Sequence, residues 1–319
     1  MASFGRSLSE LQLTGVKPLS NQPSFEQYIA EVGDKVTSAL SDIIPSQWDV
    51  PTTLKESMTY SLLAGGKKLR PLLVIAACEA LGGNKEAALE AACSVEMVHT
   101  YSLIHDDLPA MDNDDYRRGK LTNHKIYGEA MAILAGDGLL THAFYMLVKI
   151  SRKHGIPADQ VLSIVEDLSE MSGPRGMVGG QVADMQGEQG LTDLSQLEYI
   201  HLHKTSDLII FSLLAGGRIA GADEAKLEAL RLFGHHIGLA FQIQDDILDL
   251  IGDESKLGKK VQSDVKQEKV TYPYFIGLDA SKEQVEQLTN QAKKTISEAG
   301  FDNPQRLLEI ADYLMNRDH

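Results

Sequence analysis

The sequence predicts an all-α fold, a large single-domain helical bundle around a central cavity. Long segments rich in Ala, Leu and Glu carry apolar residues at helical spacing. Alternating β-branched runs bounded by turns are nearly absent, which argues against a sheet. With 319 residues, 43% of them hydrophobic, the chain can bury a continuous core. We expect one domain over 23–319, preceded by a polar extension over 1–22 that is disordered or a tag.

Helices are predicted along the whole domain, separated by short polar or Gly/Pro connections. Pro71 suits the first turn of a helix, and residues 82–84 and 155–157 have turn compositions. Segments 91–105 and 229–244 are apolar over most of their circumference, as in the central helices of a bundle. The predicted helices span 25–43, 52–64, 71–81, 85–107, 129–150, 158–172, 176–188, 195–220, 223–251, 281–299 and 304–316.

Two aspartate clusters each end one of these apolar segments. DDLPAMD begins at Asp106 and DDILD begins at Asp245. Two carboxylates 4 Å apart repel by about 4 kcal/mol at an effective dielectric of 20, so a cluster at a buried helix end needs compensation. Bound metal is the simplest compensation, and oxygen ligands favour Mg²⁺, Mn²⁺ or Ca²⁺ over Zn²⁺. For either motif alone the alternative is a solvated acidic turn, and neither has the spacing of an EF-hand.

The two clusters differ in predicted geometry. In the second, spacings of three and four residues allow Asp245, Asp246 and Asp249 to share one helical face. In the first, Pro109 ends or kinks the helix, so Asp112 must return to the cluster through a turn. Because Mg²⁺ fills its coordination shell with water and substrate phosphates, two such sets facing each other predict a bound diphosphate.

Basic residues form a second group of candidates. GGKKLRP places Lys67, Lys68 and Arg70 at a predicted helix start, where backbone NH groups favour anions. Arg117 and Arg118 follow the first aspartate cluster, and His99 lies two helical turns before it. Each feature has a simpler alternative. The glycine pair of GGKKLRP could only end a helix, the two arginines could only neutralise nearby aspartates, and the histidine could only be a hydrogen-bonded core residue.

Composition excludes several classes of function. A net charge of −15 and a pI near 5.1 argue against nonspecific binding to nucleic acid or anionic membranes. Charged residues interrupt the apolar stretch 131–150, so we expect no integral membrane association. Cys78 and Cys93 have no metal or disulfide spacing, which fits a cytoplasmic protein. Zinc-protease, nucleophile-elbow, P-loop and Rossmann motifs are absent from the sequence.

Taken in order, GGKKLRP, HTYSLIHDDLPAMDNDDYRRG, GGQVADM, HKT and FQIQDDILD closely resemble the trans-isoprenyl diphosphate synthases, most of all the bacterial farnesyl type. The resemblance spans about residues 25 to 319. It implies the all-α isoprenoid synthase fold, a homodimer, prenyl diphosphate substrates and Mg²⁺, for which Mn²⁺ can substitute.

The resemblance also implies site residues. The predicted metal ligands are Asp106, Asp112 and Asp245, surrounded by the acidic residues Asp107, Asp184, Asp246 and Asp249. The predicted contacts to the allylic diphosphate are Arg117, Gln181, Lys204 and Lys259. The predicted contacts to isopentenyl diphosphate are Lys67, Arg70, His99 and Arg118. The predicted catalytic residues are Lys204, Thr205 and Gln242, and the last two are expected near the developing allylic cation.

Product length is expected to depend on Tyr101 and Ser102. Tyr101 lies five residues before Asp106, about 7.5 Å along a helix, where its ring can close the floor of the cavity. With an aromatic residue here and the insertion Pro109-Ala110, the sequence resembles the family members that make a fifteen-carbon product. The alternative is that Tyr101 only packs in the core.

We therefore expect a prenyltransferase that condenses isopentenyl diphosphate with dimethylallyl and geranyl diphosphate to give farnesyl diphosphate. A geranylgeranyl diphosphate synthase is the alternative. A terpene cyclase would not need the basic residues, and a noncatalytic partner subunit would lack one or both aspartate clusters. Gln262 departs from the family pattern, which usually has glycine there. The alignment of the same loop is ambiguous by one residue, and this affects Lys259.

Overall fold

The computed structural model describes residues 23–187, 190, 193–251 and 270–315. Over these residues the protein is all-α apart from one small hairpin, so the predicted fold class is confirmed. The predicted extension over 1–22 and the residues Lys259 and Gln262 lie outside the described residues.

The helices of the described chain follow one another through short connections. In chain order they are α1 (Phe25–Ser41), α2 (Thr52–Leu62), α3 (Leu69–Ala80), α4 (Lys85–Asp106), α5 (Asn123–Tyr127), α6 (Glu129–His154), α7 (Ala158–Ser172), α8 (Met177–Gly187), α9 (Leu194–Ile200), a π-helical segment (His201–Ser206), α10 (Asp207–Ile219), α11 (Glu224–Ile251), α12 (Tyr272–Ile276), α13 (Leu278–Glu298) and α14 (Gln305–Met315).

The structure departs from the predicted elements in three places. The predicted helix over 195–220 consists of α9, the π-helical segment and α10. A π-helix keeps the apolar pattern nearly continuous, so periodicity does not reveal it. The short helices α5 and α12 have too few turns to show a period. Strands β1 (Tyr116–Arg117) and β2 (Lys120–Leu121) were not predicted because two-residue strands carry no alternation.

The mostly buried helices α3, α4 and α10 form the centre of the bundle. α4 packs against α6, α3 and α10, and α10 also packs against α3, α11 and α7. Most of α4 and α10 is buried on every side, as predicted for the segment that precedes the first aspartate cluster. Because α4 and α11 both belong to this bundle, the ends that carry aspartates are fixed by core packing.

One helix of the described chain, α6, is long and apolar enough to cross a membrane by length and composition. It packs against α4, α2, α5 and α7, and less than half of its most apolar stretch is buried. The exposed apolar side chains on its outer side include Ile133, Leu134 and Val148.

The start of α4 is fixed by a side-chain cap. The Asn84 side-chain oxygen accepts hydrogen bonds from the backbone NH groups of Glu86 and Ala87, at 3.0 and 3.1 Å. These NH groups have no partner within the helix, so the cap satisfies donors that would otherwise be left over.

Replacing Asn84 by alanine should lower the free energy of unfolding by about 1 kcal/mol, the usual cost of losing an N-cap. Asn84→Asp is the matched control, because a carboxylate can accept the same two bonds. Unfolding by urea measures both variants. Equal stability of wild type and Asn84→Ala would contradict the capping role.

Candidate active site

The first aspartate cluster lies where α4 ends. The backbone NH of Asp112 donates to the carbonyl oxygen of Asp106 at 2.9 Å. The turn that Pro109 predicted is therefore confirmed, and it closes the segment 106–112 into a compact loop. Asp107 is buried at the base of this loop, whereas Asp112 is exposed.

Burial raises the pKa of both aspartates at the end of α4. The pKa of Asp106 rises from 3.8 to about 6, chiefly through loss of hydration, and the negative charge of Asp112 adds to the shift. The pKa of Asp107 also rises to about 6 for the same main reason. Lys204 and Arg117 act in the opposite direction on Asp106. These cations do not fully compensate the carboxylates, which favours recruitment of a further cation.

The hairpin β1–β2 sends two adjacent arginines to different places. The Arg117 guanidinium donates to the Asp107 carboxylate at 2.7 Å, on the acidic side. Arg118 donates to the carbonyl oxygen of Gly65. Arg118 and Gly119 have φ values of 54° and 74°, and this pair of left-handed residues turns the hairpin tightly.

Lys204 is held between two acidic groups. Its ammonium donates to Asp184 of α8 at 2.6 Å, and its charge lowers the pKa of Asp106. The π-helical segment that carries Lys204 and Thr205 packs against α8 and α11. Gly180 of α8 lies directly against the backbone of Lys204, where a methyl group would collide with its nitrogen. The structure therefore brings together Asp106, Asp184 and Lys204.

The second aspartate cluster divides between two environments. The Gln242 amide donates to Asp245 at 3.4 Å along one side of α11. Asp246 instead accepts a 2.7 Å bond from the backbone NH of Tyr272 and lies 3.6 Å from the ring nitrogen of buried His201. Asp246 therefore helps to anchor the start of α12. Asp245 and Asp246 therefore have different contacts, and they are not equivalent carboxylates of one row on α11.

The predicted isopentenyl diphosphate residues lie around one cavity of about 410 Å³. Lys67, Arg70, His99 and Arg118 all line it. Phe241 of α11 lines it as well, and Asp245 follows Phe241 by four residues, one helical turn. Since His99 similarly precedes Asp106 by two turns, both aspartate clusters extend from helices that border this cavity.

Charges crowd the basic cavity. The pKa of Arg70 falls to about 10, first through burial and then through the charge of Arg118, while Glu96 opposes the shift. The pKa of His99 falls well below its ordinary value because the ring is buried and because Arg70, Arg118 and other cations are near. His99 is therefore neutral at physiological pH and can offer a hydrogen bond without adding charge.

Sequence reasoning counted Lys68 among the cations of this region but missed Glu96, which also lines the cavity. Lys68 is buried and pairs with Glu96 at 2.8 Å. The one available signal was a glutamate at the centre of an apolar helical segment, because an acid there must find a partner.

Tyr101 is buried five residues before Asp106. Its ring meets His105 edge to face, with centroids 5.7 Å apart, and His105 lies within hydrogen-bonding distance of the Ile133 carbonyl oxygen. Ser102 donates to the His99 carbonyl oxygen at 2.9 Å, within the same helix. α4 and α6 together therefore fix the position of the Tyr101 ring.

Within the described ranges, no three His, Cys, Asp or Glu side chains form a preassembled metal cage. The donors at the site are nevertheless the right kind for a hard divalent cation. Asp106, Asp107, Asp112 and Asp245 offer oxygen alone, and the first two lie in a group with excess negative charge. Such a set fits Mg²⁺, which needs few protein ligands and completes its shell with water and phosphate.

A helical bundle with carboxylates at one helix end and a cluster of cations in an adjoining cavity has the features expected of an enzyme that acts on anionic substrates. Comparison with known proteins agrees. The family model described as polyprenyl synthetase matches residues 51–303. The chain belongs to this family and is a trans-prenyltransferase of isoprenoid biosynthesis.

The chain is similar to known relatives over nearly its whole length. It is 49% identical to the farnesyl diphosphate synthase of Geobacillus stearothermophilus over 298 residues, 93% of this chain and 99% of the relative. It is 45% identical to the geranylgeranyl diphosphate synthase of Cyanophora paradoxa over 306 residues, 95% of this chain and 100% of the relative. The crystal structure of a geranyltransferase from Helicobacter pylori, complexed with magnesium and isoprenyl diphosphate, superposes with a TM-score of 0.78 at 32% identity, covering 93% of this chain and 98% of that one.

Asp106→Asn should stabilise the metal-free protein at neutral pH. Because folding raises the pKa of Asp106 from 3.8 to about 6, its charge opposes folding; the penalty is absent below pH 3.8, grows up to pH 6 and reaches at most about 3 kcal/mol above that. Unfolding in a chelator should show the gain at pH 7.5 and little of it at pH 4. Asp49→Asn, at an exposed position in the connection between α1 and α2, is the control. A variant no more stable than wild type at pH 7.5 would contradict this picture.

Gly180→Ala should reduce turnover by at least about tenfold, because the added methyl group must displace the backbone that carries Lys204. Gly33→Ala is the control, since a side chain at that helical position meets nothing within 4 Å. Steady-state rates and thermal unfolding of both variants separate an effect on the site from a loss of folding. Full turnover in Gly180→Ala would show that the position of Lys204 is not critical.

Proposed function

We propose that this protein is a Mg²⁺-dependent farnesyl diphosphate synthase. It condenses isopentenyl diphosphate with dimethylallyl diphosphate and then with geranyl diphosphate. The observation that carries the proposal is the separation of charge along α4, whose end presents buried aspartates while its middle borders a basic cavity. A diphosphate at the aspartates requires a metal between the negative charges, whereas a diphosphate in the basic cavity does not.

The allylic diphosphate is assigned to the acidic side. There Asp106, Asp112 and Asp245 would hold Mg²⁺, which supplies Lewis acidity to the leaving diphosphate when it is bound. Lys204 and Arg117 already lie among these carboxylates and would also contact diphosphate oxygens. Arg117 can present a planar pair of donors, which suits phosphate oxygens.

Further residues predicted for this side stay assigned to it. Gln181 lies on α8 in the same helix as Asp184, three residues away, and Thr205 follows Lys204 directly. The Gln242 side chain bonds to Asp245.

We assign the oxygen atoms of Thr205 and Gln242 to the surroundings of the developing allylic cation, which polar oxygens stabilise. Asp107, Asp246 and Asp249 complete the acidic surroundings, and Lys259 remains a predicted contact from the sequence.

Isopentenyl diphosphate is assigned to the basic cavity. Lys67, Arg70 and Arg118 provide charge for its diphosphate, and neutral His99 provides a hydrogen-bonding group. With cations supplied by side chains, this diphosphate needs no metal. The cavity lies between α4 and α11, so the substrate bound there can approach the allylic group on the acidic side.

The proposed reaction has three steps. The allylic carbon–oxygen bond breaks, and diphosphate leaves with the electron pair. The double bond of isopentenyl diphosphate then attacks the allylic cation and forms the new carbon–carbon bond. A proton adjacent to the resulting cation is finally lost to an oxygen of the departed diphosphate, which restores a double bond. Fixed positive charge on Lys204 and Arg117 stabilises the leaving group throughout.

Two observations bear on alternative activities. The basic cavity is unnecessary for a terpene cyclase, and both aspartate clusters are intact, unlike what is expected of a noncatalytic partner subunit. A geranylgeranyl diphosphate synthase is the second candidate, because relatives with that name are nearly as similar as those with the farnesyl name. The buried Tyr101 ring favours the shorter product.

We also propose a cytoplasmic homodimer. The exposed apolar side chains Ile133, Leu134 and Val148 on the outer side of α6 are suited to contact a second copy. No charge pattern on the chain favours an anionic membrane or nucleic acid, given the net charge of −15.

The proposal predicts a fifteen-carbon diphosphate as the main product from isopentenyl and dimethylallyl diphosphate with Mg²⁺. Labelled substrate and chromatography of the dephosphorylated products measure this, and a chelated sample is the control. A mainly twenty-carbon product would favour the geranylgeranyl alternative. Absence of condensation with every allylic substrate would contradict the synthase assignment.

Tyr101→Ala should lengthen the product toward twenty carbons, because removing the buried ring would open space for the growing chain below Asp106. Tyr101→Phe, which retains the ring, should keep the fifteen-carbon product. The same product analysis measures both variants. An unchanged product from Tyr101→Ala would mean that Tyr101 serves only core packing.

A further inference from the structure

Lys68 and Glu96 form a buried ion pair in the wall of the basic cavity. The Lys68 ammonium donates to Glu96 at 2.8 Å, and the two side chains are only 6% and 3% exposed. The ammonium also donates to the carbonyl oxygen of Leu62, the last residue of α2, at 3.0 Å. One side chain at the start of α3 therefore ties together the end of α2 and the middle of α4.

This pair fixes an unusual backbone conformation. Lys68 has φ 48° and ψ 40°, the left-handed region that a residue with a side chain rarely adopts. It follows the glycine pair Gly65-Gly66, which also has positive φ values, and directly precedes α3. Such a turn persists only when surrounding contacts determine it. The bonds of Lys68 to Leu62 and Glu96 are contacts of this kind.

The turn controls where the cations of the cavity lie. Lys67 and Arg70 flank Lys68 in sequence and line the cavity, and Arg118 donates to Gly65 at the start of the same turn. A change in the backbone at Lys68 would therefore move the anchor of Arg118 and redirect its two neighbours. Glu96 reaches this turn directly, because its carboxylate pairs with the Lys68 ammonium at 2.8 Å.

By charge alone, Glu96 opposes anion binding. Among the described residues that line the cavity it is the one carboxylate, against four lysine and arginine side chains, Lys67, Lys68, Arg70 and Arg118. A buried ion pair is in general weak evidence for stability, since apolar replacements are often tolerated. A carboxylate that reduces the attraction of the cavity for an anion therefore points to a role in geometry.

We propose that Glu96 is a positioning residue for isopentenyl diphosphate and acts through Lys68. By holding the Lys68 ammonium, Glu96 fixes the backbone of the turn 65–70. Lys67, Arg70 and Arg118 then point to one bound diphosphate. Glu96 does not contact the substrate in this arrangement. The proposal rests on the assignment of the basic cavity to isopentenyl diphosphate.

The test compares Glu96→Gln with a matched control on the same helix. Glu90→Gln is that control, because Glu90 is also a buried glutamate of α4 paired with a lysine, Lys153, but it does not line the cavity. Calorimetric titration with isopentenyl diphosphate in a chelator measures the cavity directly, without turnover. Titration with geranyl diphosphate and Mg²⁺ measures the acidic side.

Glu96→Gln should weaken isopentenyl diphosphate binding by about tenfold or more, equivalent to at least about 1.4 kcal/mol, and leave geranyl diphosphate binding within about twofold. In steady state, its KM for isopentenyl diphosphate should rise while its KM for the allylic substrate stays constant. Glu90→Gln should change neither. Glu96→Asp should recover part of the lost affinity, because a carboxylate remains to hold Lys68.

Lys68→Met provides a second route to the same result, and it applies if Glu96→Gln does not fold. This variant removes the other half of the pair, so it should also lower the affinity for isopentenyl diphosphate selectively. The double variant should bind this ligand no more weakly than the single variant with the lower affinity. Tighter isopentenyl diphosphate binding by Glu96→Gln would show that charge dominates and would overturn the proposal. Equal losses for both ligands, or none, would also overturn it.

These outcomes are separate from those that test the synthase assignment. If wild type makes the prenyl product but Glu96→Gln and Lys68→Met bind isopentenyl diphosphate normally, the positioning role is wrong and the enzyme assignment stands. If wild type binds isopentenyl diphosphate without metal yet makes no product, the enzyme assignment fails. A selective loss in Glu96→Gln would support the positioning role even then.

Discussion

Like charges lie side by side at two places in this bundle, and their burial constrains the surrounding structure. At the end of α4, loss of hydration raises the pKa of Asp106 and Asp107 to about 6. Around the adjoining cavity, the same effect lowers the pKa of Arg70 to about 10. Neither group would be stable alone, since each needs charge of the opposite sign. The compensation is partial, and it leaves excess negative charge on one side and excess positive charge on the other, which is the basis for the proposed division into a cation site and an anion site.

Local backbone features distribute this compensation. The tight turn at Arg118-Gly119 allows adjacent arginines to serve opposite regions, one at Asp107 and the other at Gly65. The π-helical segment brings Lys204 between Asp184 and Asp106. These features are irregular, yet regular helices hold them in place. The bundle therefore provides rigidity, and its turns and the π-helix provide the placement of charge.

Much of this arrangement could be predicted from the sequence, and the remainder depends on contacts between distant residues. Helical periodicity predicted the main helices, and Pro109 predicted the turn that returns Asp112 to Asp106. The π-helix escaped because its apolar pattern resembles that of a continuous α-helix. The bond from Tyr272 to Asp246 joins residues 26 positions apart, and no local pattern encodes it. Glu96 was missed because its role depends on Lys68, which a scan for motifs reads only as one more cation.

The central claim is that one substrate is held through metal and the other by side chains alone. Calorimetric titration of the wild-type protein with geranyl diphosphate and with isopentenyl diphosphate, each with and without Mg²⁺, tests this claim most directly. The account predicts that removing Mg²⁺ weakens geranyl diphosphate binding by about a hundredfold, close to 3 kcal/mol, and changes isopentenyl diphosphate binding by less than about threefold. Equal dependence of the two ligands on Mg²⁺ would contradict the division of the site into an acidic and a basic half.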